Sequence, residues 1–173
     1  KVTGHQWYWN YEYPESGFDF DSNMIGQGEP GLTPEVIAQL ESYGYEASDY
    51  LLAADTALVV PVGANVRVQV AASNVNHSFA VPSFGIKMDA ISGRLNETWF
   101  RVGADPRDVE AGTDADENYI GTYFGQCSEL CGKYHSYMPI VVKVVSQEDY
   151  DKWLAGAIEE YANIPATTMV ASN

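Results

Sequence analysis

Apolar and polar positions alternate with a period of two along much of this chain. Val66, Val68 and Val70 alternate with Arg67 and Gln69, which predicts a strand with one buried face over Val66–Ala71. Gln6–Tyr13 is aromatic-rich and stops at Pro14, a second strand signal. Thr56–Val60, His77–Val81, Glu97–Val102, Tyr119–Phe124 and Ile140–Val145 read as further strands. Two stretches carry a helical signature instead. Thr33 can cap a helix that opens on Pro34 and runs to about Ser42. Ser146 with Asp149 makes a capping-box-like start to a helix over Gln147–Tyr161, with Tyr150, Leu154 and Ile158 on one face. Residues 14–33 hold four Gly and two Pro and read as loop, and residues 103–118 as an acidic loop. Many short strands between turn signals predict a mainly β sandwich or barrel with a short inserted helix and a C-terminal helix. The expected organisation is one domain over 1–160, with an insert at about 14–54, and a loose tail over 161–173.

Composition narrows the function classes. A chain of 173 residues is one domain's worth, and 46% hydrophobic with 13% aromatic residues is too apolar for a disordered acidic tail. The 24 acids outnumber the 9 bases, for a net charge of -15. Such a chain repels nucleic acid and anionic lipid, and a basic protein is its natural partner. The acid is uneven: residues 1–60 hold ten acids against Lys1, while 61–100 are near neutral. No stretch reaches the roughly 20 apolar residues that span a bilayer. The start at Lys1 without Met raises the expectation that an upstream segment was removed or left out.

The candidate chemistry lies in residues 127–138. Cys127 and Cys131 stand four apart, His135 follows four later and Met138 three after that. Thiolate, imidazole and thioether together are the donors of a soft, redox-active metal. A single Cys with His and Met would indicate one blue copper. Two thiolates can bridge two coppers, and each copper then needs its own imidazole. His77, at the start of a strand, is the candidate for the second imidazole, whereas His5 sits in an aromatic strand and needs no metal to explain it. The residues alone leave open a plain disulfide and a tetrahedral zinc site, although a thioether is a poor zinc ligand.

Three segments carry a resemblance. The run CSELCGKYHSYMP from Cys127 to Pro139 resembles the binuclear copper (CuA) loop of cytochrome c oxidase subunit II. HSFAVPSFGIKMDAISGRLN, from His77 to Asn96, and GHQWYWNYEYP, from Gly4 to Pro14, resemble two upstream segments of that family, in its order. The resemblance implies a cupredoxin-like Greek-key β-sandwich on the outer face of an energy-transducing membrane, bacterial or mitochondrial. It implies electron transfer from cytochrome c to haem in subunit I. Cys127 and Cys131 would bridge two coppers, and His77 and His135 would each bind one. Met138 and the Glu129 carbonyl would be weak axial ligands, and the Glu129 side chain would hold magnesium at the border with subunit I. Trp7 would be the electron entry, and Glu12, Asp21 and Asp55 would dock cytochrome c. Other oxidase subunits, and N-terminal membrane helices upstream of Lys1, would tie the domain to the membrane.

Some positions depart from the family pattern. Asn74 stands where the family has an acid, Asn76 where it has an aliphatic residue, and Ser92 where it has proline. Quinol oxidase subunits share the fold but lack the copper ligands that are present here. The nitrous oxide reductase interval between cysteines contains Trp, whereas this one is Ser128-Glu129-Leu130. A copper chaperone or storage domain, without an oxidase role, is the alternative of another class.

Overall fold

The computed structural model describes residues 1–104 and 115–162. Two five-stranded sheets form a sandwich. The first holds β1 (Val2–His5), β2 (Tyr8–Tyr13), β3 (Phe18–Ser22), β5 (Asn65–Ala72) and β8 (Asn96–Arg101), in the order β3-β2-β1-β5-β8. The second holds β4 (Leu58–Pro61), β6 (His77–Val81), β7 (Ile86–Ala90), β9 (Gly121–Cys127) and β10 (Pro139–Val145), in the order β4-β10-β9-β6-β7. The pairs β1 with β5 and β10 with β4 are parallel, as crossovers between layers require, and the other strand pairs are antiparallel. This is the expected cupredoxin-like architecture.

The alternation seen in the sequence decides which residues meet between the sheets. Trp9 and Tyr11 of β2 turn inward and are fully buried. Phe18 and Phe20 of β3 do the same, while Asp19 and Asp21 face solvent. From the other sheet, all of β6 is buried, and His77, Phe79 and Val81 share the face whose Phe79 and Val81 join the main core. His77 therefore belongs to the inward-facing row of β6, and its ring lies 5.9 Å from that of Trp9.

Five elements differ from expectation. Residues 14–33 are not all loop, because β3 forms there. Its Phe-Asp alternation is short and framed by Gly17 and the Gly-rich run after it. Val2–His5 forms β1, which the aromatic run beside it masks, and Ile86–Ala90 forms β7. β9 starts later than expected and runs into Cys127, so the first thiol is held by strand pairing, opposite Phe79. The C-terminal helix α2 (Gln147–Tyr161) has the expected Ser146 cap, but its packed stripe is rotated. Trp153, Leu154, Ala157 and Tyr161 meet the core, while Ile158 is exposed. The Trp153 indole packs against Tyr13, Phe18 and Phe20, with ring centroids 5.2, 6.2 and 6.5 Å away.

The insert carries α1 (Pro34–Ser42), capped by Thr33 as expected, and a small core of Ile25, Val36, Leu40 and Ala53. Ala54 and Ala57 cover the outer side of β10 at Val141. This is why β10 opens on a continuous buried run, Pro139 to Val142, before the exposed Lys143. Most of the expected acidic loop, and the tail from residue 163, lie outside the described residues.

Candidate metal centre

Three segments converge at one end of the sandwich. β6 supplies His77, β9 ends on Cys127, and the loop to β10 carries Glu129, Cys131, His135 and Met138. Both cysteines are free and buried, with Sγ atoms 3.9 Å apart, so the disulfide left open by the sequence is not formed. His77 Nδ1 lies 3.8 Å from Cys127 Sγ, and His135 Nδ1 lies 3.6 Å from Cys131 Sγ. The donors therefore run in the order His77, Cys127, Cys131, His135, with one imidazole beside each thiol. The Glu129 carbonyl lies 3.3 Å from Cys127 Sγ, while its side chain is exposed. Met138 is 1% exposed, and its carbonyl accepts from the Cys127 amide at 3.1 Å. Ligand atoms of His77, Cys127 and Cys131 all lie within 4.8 Å of one another.

The donor set fits copper. Burial is the main force that pushes the Cys131 thiol up to about 12, with Cys127 adding to it. Burial likewise lowers His77 to about 4, helped by His5 and His135. Without metal, His77 is thus a neutral imidazole and Cys131 a protonated thiol at neutral pH. Capture of a cation requires the thiol to release its proton.

Neighbouring groups tie the loop that carries Cys131 to the β1–β2 turn. The Cys131 carbonyl accepts from Gln6 Nε2 at 2.9 Å and from Trp7 Nε1 at 3.1 Å. The half-buried Trp7 ring packs edge-on against Tyr134, with centroids 5.0 Å apart. Gly132 has φ +118, and a Cβ there would stand 3.1 Å from Trp7 Cζ2. Gln27, from the insert, donates to the Trp7 carbonyl at 2.7 Å and to the Tyr137 carbonyl at 2.8 Å. Asn74 donates to Gln6 Oε1 at 2.9 Å, a contact that an ionised acid at this position could not make. The sequence held no signal for Gln6 or Gln27, since each acts through backbone carbonyls far away in the chain.

The expected docking acids are spread out. Glu12 and Asp21 lie on the outer face of the first sheet, along with Asp19. Glu12 pairs with Lys1 at 2.6 Å, and Asp21 accepts from Asn10 at 2.9 Å. Asp55 is half-buried and accepts from the Asn23 backbone amide at 2.8 Å.

Comparison with known proteins follows the same lines. Residues 1–145 match the family described as cytochrome C oxidase subunit II, periplasmic domain. Cytochrome c oxidase subunit 2 of Cereibacter sphaeroides is 48% identical over 96% of this chain and 53% of its own length. A probable cytochrome c oxidase subunit 2 of Rickettsia bellii is 43% identical over 94% of this chain and 50% of its own length. The chain thus spans about half the length of these relatives. Among solved structures, the periplasmic domain of subunit II of cytochrome oxidase from Bradyrhizobium japonicum superposes with a TM-score of 0.68. It is 41% identical and covers 93% of each chain. A mixed disulfide between a thioredoxin-like protein and a cytochrome c oxidase subunit II gives 0.65 at 40% identity, over 93% of this chain and 90% of that one.

Proposed function

The chain belongs to the cytochrome c oxidase subunit II family, and from that premise we propose that it takes electrons from cytochrome c and delivers them to haem in subunit I. It is the copper domain of a subunit of an oxidoreductase complex, on the outer side of the membrane. The observation that carries the proposal is the succession of donors, one imidazole beside each of two thiols 3.9 Å apart. His135 also falls outside the group of ligand atoms, on His77, Cys127 and Cys131, that lie within 4.8 Å of one another, whereas four ligands of one tetrahedral zinc would all stand within about 4 Å of each other.

Cys127 and Cys131 would bridge the two coppers, His77 and His135 would each hold one, and Met138 and the Glu129 carbonyl would be the weaker donors. When bound, the copper pair supplies a one-electron redox centre. The chain's part is to hold its donors still, so that little rearranges when charge changes. Strand pairing fixes Cys127, and the Gln6 and Trp7 donors fix the carbonyl of Cys131. Burial of both thiols keeps water out. Trp7 would be the entry point: its indole nitrogen already bonds to the carbonyl of a copper cysteine, and part of its ring reaches the surface. The exposed Glu129 side chain would hold magnesium against subunit I. Glu12 and Asp21 would steer the cationic donor, more by their summed field than by any single ion pair. Residues 1–160 would act as one domain.

Stopped-flow mixing of the copper-loaded chain with ferrocytochrome c tests this. Oxidation of cytochrome c is expected, slowed at least tenfold by Trp7→Phe. Absence of oxidation by a fully loaded chain would overturn the electron-transfer role.

A further inference from the structure

His77 is held in an unusual way for a metal-binding histidine. Such a ring ordinarily donates its second nitrogen to a carboxylate, carbonyl or water, which fixes its plane. Here Nδ1 faces Cys127, and Nε2 is buried with no hydrogen-bond partner among the described residues. Trp9 Nε1, in the neighbouring ring, is also buried and has no partner among the described residues. The ring is instead wedged by packing. On one side lies Gly4: a Cβ there would stand 2.8 Å from His77 Cδ2 and 2.9 Å from Cγ, closer than real Cβ contacts come. Next to Gly4, as its partner on β2, lies Trp9, its ring 5.9 Å away and tilted by 60°, itself braced edge-on by Phe79 at 5.4 Å.

Gly4 is not there for backbone freedom, since its φ is not positive. Its strand is also pinned from both sides. Gly4 is paired with Trp9 in β2 and with Ala72 in β5, and its carbonyl accepts from the Ser73 amide at 3.0 Å. The backbone of β1 therefore cannot retreat from an added side chain, and the imidazole would have to move.

We propose that Gly4 is a positioning residue for the copper ligand His77: its bare backbone and the Trp9 indole together set the imidazole plane that presents Nδ1 to Cys127, in place of a hydrogen bond at Nε2. This rests on the copper site proposed above.

The test compares Gly4→Ala with Val2→Ala, a change on the same strand and in the same core that leaves the contacts to His77 intact. Copper count and copper hyperfine pattern are read first on the parent chain; failure there would indict the copper site and not Gly4. Given a loaded parent, Gly4→Ala is expected to change the hyperfine pattern and reduction potential and to lose copper to a chelator at least tenfold faster. Adding Trp9→Phe to it should move the pattern back toward the parent's by making room for the ring. Trp9→Phe alone, which keeps an aromatic core, should also disturb the pattern and serves if Gly4→Ala does not fold. In the metal-free chains, the His77 ring shifts by nuclear magnetic resonance should move in Gly4→Ala and not in Val2→Ala. Unchanged spectra in Gly4→Ala and Trp9→Phe, or equal changes in Val2→Ala, would overturn the proposal.

Discussion

At the scale of single residues, the site rests on hydrogen bonds to carbonyls as much as on its donors. Gln27 uses both hydrogens of one amide to join the Trp7 and Tyr137 carbonyls. Gln27→Leu removes both bonds and leaves two part-buried acceptors short of a partner. It is expected to cost about 1–3 kcal/mol in urea unfolding of the metal-free chain. Gln27→Glu should do no better, because a carboxylate cannot donate; stability equal to the parent in either variant would contradict the brace. Tyr13 offers a second case. Its hydroxyl donates to the Val59 carbonyl at 2.8 Å and accepts from the Val59 amide at 3.0 Å, linking β2 to β4. Tyr13→Phe should lower stability by about 1–2 kcal/mol by the same measurement. The candidate donors are legible in the sequence because their residue types and spacings are chemical constraints in themselves. Gly4, Gln6 and Gln27 are not, because what they do depends on which backbone the fold brings opposite them.

At the scale of elements, strands with one wet face were read from alternation, as in Val66–Ala71. β3 was missed because five residues between glycine-rich flanks give too short a signal. The helix α2 was found, but its buried stripe was placed one step off. A helical wheel alone cannot see the aromatic cluster of Tyr13, Phe18 and Phe20 that receives Trp153. The two faces make opposite predictions. Trp153→Ala should cost about 3 kcal/mol, whereas Ile158→Ala, at 38% exposure, should change stability by less than about 0.5 kcal/mol. Thermal or urea unfolding of both variants decides between the stripes, and a larger loss from Ile158→Ala would restore the face expected from sequence.

At the scale of the whole molecule, the net charge of -15 raises the expectation of a cationic partner but does not say where it would bind. The fold sorts the candidate acids by what they touch. Glu12 and Asp21 lie on one outer sheet face, whereas Asp55 is engaged with the Asn23 amide and belongs to the framework of the insert. Glu12→Gln combined with Asp21→Asn should therefore slow electron uptake from cytochrome c at low salt and matter little at high salt. An equal rate at low salt would remove these acids from the docking face. Asp55→Asn should instead lower the unfolding midpoint, with little change in the salt dependence of uptake. All of this presupposes the copper pair, and its direct test is metal counting with electron spin resonance on the copper-loaded chain. The account predicts two coppers per chain and a hyperfine pattern from one electron shared between two copper nuclei, with both lost in Cys127→Ser or Cys131→Ser. One copper per chain, or a signal confined to a single nucleus, would contradict it.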